Sequence, residues 1–379
     1  MNVHESEKLA GILESQGYIA TAEQTDADII VINTCCIRQN AENRVLGNLG
    51  YIKSIKAQNP NLILAVFGCM PQAKGAAQKL KGRCPFIDII FGTHNLFKFD
   101  EYLARAREGK SVLEIFDEGD AVEGLRAKRT SGVNAWVNIM YGCDNYCTYC
   151  IVPYVRGREQ SRKPELILDE VKKLLDEGYK EITLLGQNVN SYTGMDEKGK
   201  EINFAALLEQ IAVLPYKFRT RFMTSHPKDL TDDVIEVIKT YPNLPEFFHL
   251  PAQSGSDRIL ELMNRKYTAE HYLNRIEMLK AAMPGVGLSS DIIVGFPTET
   301  EQDFADTLKL VEKTRFHNLF MFIYSPRMGT KAAEMKETIE KSVIDGRFKR
   351  LVDVQTKIAD GLALENIGKR FEVLCDTYD

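Results

Sequence analysis

The sequence predicts an α/β protein in two main parts. An open, parallel-stranded N-terminal domain precedes a partial barrel of six strand–helix units, followed by the start of a truncated C-terminal β-barrel. Three observations carry this expectation. Apolar runs of strand length alternate with amphipathic helical stretches along most of the chain. A polar, charged segment over residues 109–132 interrupts that alternation once. After Gly368 a fresh run, Arg370-Phe371-Glu372-Val373-Leu374-Cys375, reads as a new strand. The expected organisation is therefore an N-terminal domain over 1–108, a connector over 109–132, a barrel with its closing helix over 133–366, and a stub over 367–379.

Taken in order, residues 4–16 read as a helix with Leu9, Ile12 and Leu13 on one side, and 28–33 as a buried strand. A helix over about 40–58, a strand at 62–67, a helix near 72–80 and a short strand at 87–91 follow, and the connector carries an irregular strand at most. Barrel strands are expected at 136–140, 181–185, 219–223, 246–249, 288–294 and 318–324. Helices are expected between them at 164–177, 204–214, 232–241, 257–263 with 269–283, and 299–314. Thr298 with Glu301 three residues later forms a capping-box pattern. A charged helix over 341–366 keeps Ile344, Phe348, Leu351, Val354 and Ile358 on one side.

Composition narrows the function classes. The 379 residues carry 48 Lys+Arg against 53 Asp+Glu, a net charge of −5, which argues against a protein that coats nucleic acid nonspecifically and leaves room for a local basic patch. With 44% hydrophobic and 27% charged residues the chain is neither disordered, collagen-like nor coiled coil. No apolar run approaches the roughly 18 residues of a membrane span, and the first residues lack the basic-then-apolar pattern of a secretory signal. No membrane association and a cytoplasmic setting are expected. Eight cysteines there point to metal binding or catalysis rather than disulfides.

The strongest motif is Cys143-Asp144-Asn145-Tyr146-Cys147-Thr148-Tyr149-Cys150, three cysteines spaced C-x3-C-x2-C directly after the first barrel strand. Soft thiolates at this spacing wrap one corner of an iron–sulfur cube and ligate three of four irons. The open iron then chelates the amine and carboxylate of S-adenosylmethionine. The alternative is a zinc knuckle, but a closed zinc site needs a fourth ligand and no histidine or cysteine lies close by in sequence.

Together with Ile32-Asn33-Thr34-Cys35, Gly68-Cys69, the stretch from Ile151 to Arg158, the stretch from His249 to Ser256 and Asp291 to Pro297, this motif makes the chain resemble the radical S-adenosylmethionine methylthiotransferases of the tRNA-modifying MiaB type over nearly its whole length. The resemblance implies a radical S-adenosylmethionine barrel after a methylthiotransferase domain, with an RNA-binding TRAM barrel at the C-terminus. It implies two four-iron clusters, one on Cys143, Cys147 and Cys150, and an auxiliary one with Cys35 and Cys69 as ligands. A third auxiliary ligand belongs to a Gly-Cys-Gln-Met-Asn run of which this chain holds only Met1-Asn2, so an incomplete auxiliary site is expected. It also implies tRNA as substrate, a flavodoxin- or ferredoxin-type electron carrier, and methylthiolation at carbon 2 of N(6)-dimethylallyladenosine at position 37, beside the anticodon. Related enzymes acting on threonylcarbamoyladenosine or a ribosomal protein are the near alternatives, and a non-catalytic iron–sulfur carrier is the distant one.

Chemistry in a parallel barrel collects at the C-terminal strand ends. The resemblance implies that Gln187 or Asn188 there accepts from the ammonium of S-adenosylmethionine, that Gln253 and Ser254 reach the cofactor or substrate, and that the backbone near Gly295 contacts adenine; an Asn- and Gly-rich turn, and a glycine that merely closes a strand, are the alternatives. Ser256 is expected to cap the next helix, and His226 to be a hydrogen-bonded loop residue with general-base work as the alternative. Arg156, Arg158 and Arg162, close after the cluster loop, are candidates for RNA phosphate contacts. Cys36 is expected to be a buried thiol, with Cys84 and Cys375 structural.

Overall fold

In the N-terminal part, alternate residues of each apolar run point to opposite faces of one sheet, so both faces need helical cover. A computed structural model describes residues 1–36, 39–119, 124–125, 127–129, 131–244, 246–336 and 339–376; Arg126, at the end of the charged connector, lies outside them. The chain divides into two compact units, one comprising 1–130, 141–144 and 150–160, the other 131–140, 145–149 and 161–379.

The first unit holds a four-stranded parallel sheet in the order β1 (Ile29–Thr34), β2 (Ile63–Gly68), β3 (Ile89–Phe91) and β4 (Val112–Glu114). Leu64, Val66 and Ile90 face a core shared with Leu49, Ile52 and Ile55 of α2 (Gln39–Gln58) and Leu80 of α4 (Ala76–Arg83). Ala65, Phe67, Ile89 and Phe91 face the other core, with Leu9 and Ile12 of α1 (Asn2–Ser15) and Phe99, Tyr102 and Leu103 of α5 (Phe99–Arg107). Two expectations change here. The connector supplies β4, a regular strand of three residues whose charged surroundings hide it in sequence. The helix expected at 72–80 is split into a short α3 (Cys69–Gln72) and α4, because Ala73 is extended and Gly75 is left-handed.

The second unit carries the six expected strands, all parallel, in two ladders. β5 (Asn134–Asn138), β6 (Glu181–Leu185) and β7 (Arg219–Phe222) run in the order β7-β6-β5. β8 (Phe247–His249), β9 (Gly287–Val294) and β10 (Asn318–Ile323) form the other. Ala135, Val137, Ile182, Leu184, Phe222, Phe248, Ile292 and Leu319 point into one core with the helices that follow the strands. The short helix α6 (Val152–Arg156) belongs, like α1 to α5, to the first unit; α7 (Pro164–Asp176), α8 (Phe204–Ala212), α9 (Asp232–Thr240), α10 (Asp257–Leu262), α11 (Ala269–Ala282), α12 (Glu301–Thr314) and α13 (Lys341–Leu364) belong to the second. Among the described residues no helix is long and apolar enough to cross a membrane.

Two further expectations are corrected. The capping box of α12 is formed by Thr300 and Asp303, not by Thr298 and Glu301: Thr298 sits at φ +69°, where an N-cap residue does not, while Thr300 is extended and exchanges side-chain and backbone bonds with Asp303. Residues 370–375 form no strand, since a strand exists only when its amides and carbonyls pair with a neighbour; Phe371 and Val373 are exposed. Thr300→Ala is expected to lower stability by about 1 kcal/mol, and Thr298→Ala, whose hydroxyl meets only Arg258, by a fraction of that. Equal losses on chemical denaturation would return the cap to Thr298.

Candidate functional site

In the first unit, β1 and β2 end side by side, and the residues just beyond them are Cys35 and Cys69. Gly68 holds φ +108°, and a Cβ there would lie 2.6 Å from Thr34 O, so only glycine lets the two strand ends approach this closely. Thr34 Oγ1 donates to Phe67 O at 2.6 Å and accepts from Met70 N at 3.3 Å, tying the start of α3 to the end of β1. Cys69 is thereby fixed and is 3% exposed. Cys36 is a buried thiol, as expected, and it hydrogen-bonds Cys69.

Arg156, at the end of α6, is buried against the same sulfur. Its Nε donates to Cys69 Sγ at 3.2 Å; Nη1 and Nη2 both donate to the Glu5 carboxylate, the latter at 3.1 Å, and Nη2 also reaches Asn2 Oδ1 at 3.0 Å. The hydrogen bond from Cys36, helped by the Arg156 charge and opposed by burial, brings the Cys69 thiol down to about 7, and Cys36 is pushed up correspondingly. A sulfur held as thiolate is the form that binds metal. In the loop before α6, Cys143 N donates to Gly157 O at 3.3 Å, and Gly142, at φ +69°, leaves no room for a Cβ beside Arg158 O.

The second unit holds Cys147, 8% exposed. The chain is pinned beside it by Thr148, whose N and Oγ1 donate to Met263 O and Leu262 O, and by Asn264, whose Nδ2 donates to the carbonyls of Asn145 and Tyr146. Arg265, next in sequence, donates from Nη1 to Cys147 Sγ at 3.4 Å. Nothing in the sequence marks Arg265 as more than a surface charge.

At the ends of β6 and β7 lies a buried polar group. Asn188 donates from Nδ2 to Asp229 at 2.7 Å, but its Oδ1, both amide atoms of Asn190 and the hydroxyl of Ser225 are buried with no hydrogen-bond partner among the described residues. Buried polar atoms are rarely left unpaired, and such a gathering asks for a polar ligand. Asn190 and Ser225 join Asn188 there. Gln187 is half-buried in the same loop, and Gln253 is buried at φ +69° with its backbone bridging to β9.

Several candidates have other work. Ser254 Oγ is engaged by Thr307 Oγ1 at 3.2 Å and Ser256 N at 3.2 Å, so its hydroxyl fastens the strand end to α12 rather than facing a cofactor. Gly295 donates its N–H to Glu299 Oε2 at 3.0 Å, and a Cβ there would strike Ile344, so its glycine is required by packing. Arg156 and Arg162 are not available to phosphate: the first is bound as above, and the second is buried with Nη1 donating to Asn138 O at 2.5 Å and Glu170 at 2.8 Å. Arg158 is exposed and forms a fork on Asp144 at 2.8 and 3.0 Å. Burial, with the Arg265 and Lys228 charges, drops His226 to about 2, and its Nδ1 accepts from Lys228 N at 3.3 Å; it is a neutral turn cap, not a general base. Ser256 caps α10 as expected, and Cys375 is exposed.

Among the described residues no three metal-ligating side chains stand within coordination range of one another, so the fit of an iron–sulfur cluster rests on the chemistry of the donors. Two observations favour it. The three thiols of the triplet are soft ligands at cluster spacing, and Cys147 and Cys69 each accept a hydrogen bond from a buried guanidinium.

Known proteins agree. Residues 137–311 match the Radical SAM superfamily and residues 1–92 match Uncharacterized protein family UPF0004. The chain is 53% identical over 378 residues to the tRNA-2-methylthio-N(6)-dimethylallyladenosine synthase of Clostridium botulinum (strain Okra / Type B1), covering 99% of this chain and 84% of that protein. The chain belongs to this family. The synthase of the same name from Carboxydothermus hydrogenoformans is 51% identical over 99% of this chain and 86% of its own. In three dimensions the chain shares its fold with the radical S-adenosylmethionine methyltransferase TsrM from Kitasatospora setae, solved with cobalamin and a four-iron cluster. The TM-score is 0.61 at 12% identity over 87% of this chain and 73% of that one.

The buried Arg156–Glu5 pair sets an energetic test. Glu5→Gln is expected to cost about 3–5 kcal/mol because it strands a buried guanidinium, whereas replacing both residues by methionine should cost less than the sum of the single losses. Additive losses on urea denaturation of the metal-free protein would mean the two do not act as a pair.

Proposed function

We propose that this family member is a tRNA methylthiotransferase that adds a methylthio group to carbon 2 of N(6)-dimethylallyladenosine at position 37. The observation that carries this reading is 53% identity across 99% of the chain to synthases of that name, with the C-x3-C-x2-C triplet intact. When bound, a four-iron cluster and S-adenosylmethionine supply a carbon radical able to abstract the ring hydrogen, and sulfur and methyl are then added.

The chain's own residues provide the rest. Cys143, Cys147 and Cys150 would hold the cluster that meets S-adenosylmethionine; Cys35 and Cys69 would contribute to the auxiliary one. Asn188 Oδ1, Asn190 and Ser225 offer the unspent hydrogen bonds that a methionyl ammonium and carboxylate require, with Gln187 and Gln253 beside them in the same strand-end loops. Residues 1–108, 109–132, 133–366 and 367–379 are read as methylthiotransferase domain, connector, radical core and the opening of a TRAM barrel. A flavodoxin- or ferredoxin-type carrier delivers electrons, and the setting is cytoplasmic, as tRNA substrates require.

Cys147→Ala should abolish both 5′-deoxyadenosine release and methylthiolation. Cys69→Ala should keep deoxyadenosine release while losing the methylthio product, read by nucleoside mass spectrometry of tRNA. A methylthio product from the Cys147 variant would end this assignment. Asn190→Ala should raise KM for S-adenosylmethionine about tenfold, the equivalent of a hydrogen bond to a charged group, with iron content unchanged; an unchanged KM would remove Asn190 from the cofactor site.

A further inference from the structure

Arg265 is buried, and among the described residues none of its hydrogen-bond partners is a carboxylate. Nε donates to the Tyr267 hydroxyl at 2.9 Å, Nη2 to Pro251 O at 2.8 Å and Nη1 to Cys147 Sγ at 3.4 Å. Its carbon Cζ lies 5.1 Å from the Tyr267 ring centroid. Tyr267 is fixed in turn by Ala252 O at 2.8 Å, so the guanidinium is aimed by a rigid frame. Guanidinium does not give up its proton in a protein. The buried charge is thus met by neutral oxygens and one sulfur, and it is directed at that sulfur by the Nη1 hydrogen bond.

Arg156 makes the same N–H···S contact in the first unit but spends its charge on Glu5. The two sulfurs therefore receive different fields. Cys69 faces a neutralised ion pair, whereas Cys147 faces a net positive charge as well as a hydrogen bond.

We infer that Arg265 is a positioning residue that raises the reduction potential of the cluster held through Cys147, so that one electron is more easily placed there before S-adenosylmethionine is cleaved. This rests on the reading of Cys147 as a cluster ligand. The step is a one-electron transfer from an external reductant to the cluster; no bond at Arg265 forms or breaks, and the guanidinium keeps its proton. Positive charge and N–H donors near cluster sulfur stabilise the more negative, reduced state. Reducibility thus comes from a residue that touches neither substrate nor iron.

The test is a dithionite titration followed by electron paramagnetic resonance, on anaerobically reconstituted full chain carrying Cys35→Ala and Cys69→Ala so that one cluster remains. Arg265→Met should shift the reduction equilibrium at least tenfold toward the oxidised form, a drop of about 59 mV for one electron. Arg265→Lys, which keeps the charge but cannot span all three acceptors, should drop by less. An unchanged potential in Arg265→Met at parental iron content overturns the inference; should that variant fail to load iron, an unchanged potential in Arg265→Lys overturns it instead. A parent chain with no four-iron signal overturns the cluster reading as well, which tells the two failures apart.

Discussion

A charge removed from water must be matched by an opposite charge or by a full set of hydrogen-bond partners, and both sulfur sites of this protein are built around that requirement. Arg156 meets it with Glu5 and Asn2 while turning Nε to Cys69. Arg347 meets it with Glu299, whose carboxylate also takes the Gly295 N–H and so shapes the turn after β9. Arg265 alone of these three is left with neutral oxygens and a sulfur. Each arginine crosslinks elements far apart in sequence, so the geometry around each cysteine depends on residues the cysteine motifs do not contain.

The backbone supplies the other half of the arrangement. Parallel strands end at the same edge of their sheet, and loops leaving that edge are crowded together. The crowding shows at Gly68, where β1 and β2 end, and at Gly255, where a Cβ would lie 2.5 Å from Asp306 O. At such positions side chains give way so that neighbouring loops can be held by main-chain bonds. The Cys147 loop is held in this way by Leu262 and Met263.

Much of this was legible in the sequence, and the limits have physical causes. The six barrel strands show because each is apolar on the core side and is followed by a helix with an apolar stripe; β5 alone shifts, beginning and ending two residues earlier than its pattern implies. The three-residue β4 is too short to carry a period. The cysteine motifs are readable because ligand spacing is local. The arginines are not, because whether a guanidinium is buried depends on partners more than a hundred residues away: Arg265 meets Cys147 across 118 positions and Arg156 meets Glu5 across 151. Charge type in a sequence points to solvent, and only the fold reverses that reading.

The polar residues at the strand ends show how a structural network is told from a ligand cradle when the residue types are the same. Beyond β8, Ser254, Ser256, Thr307 and Asp303 satisfy one another: Ser256 Oγ donates to Asp303 at 2.6 Å, Thr307 Oγ1 donates to Asp303 O at 3.0 Å, and Gly255 N donates to Thr307 Oγ1 at 3.0 Å. Such a network is complete, and breaking it to bind a small molecule would cost the bonds already made. Beyond β6 and β7 the opposite holds, since Asn188, Asn190 and Ser225 have been desolvated without being paired. Leaving a buried donor or acceptor unsatisfied costs about 1–3 kcal/mol, a cost that folding alone does not recover and a bound polar ligand does. The energetic asymmetry between these two groups, rather than the identity of any single residue, separates a finished structural network from a set of side chains with hydrogen bonds still to make.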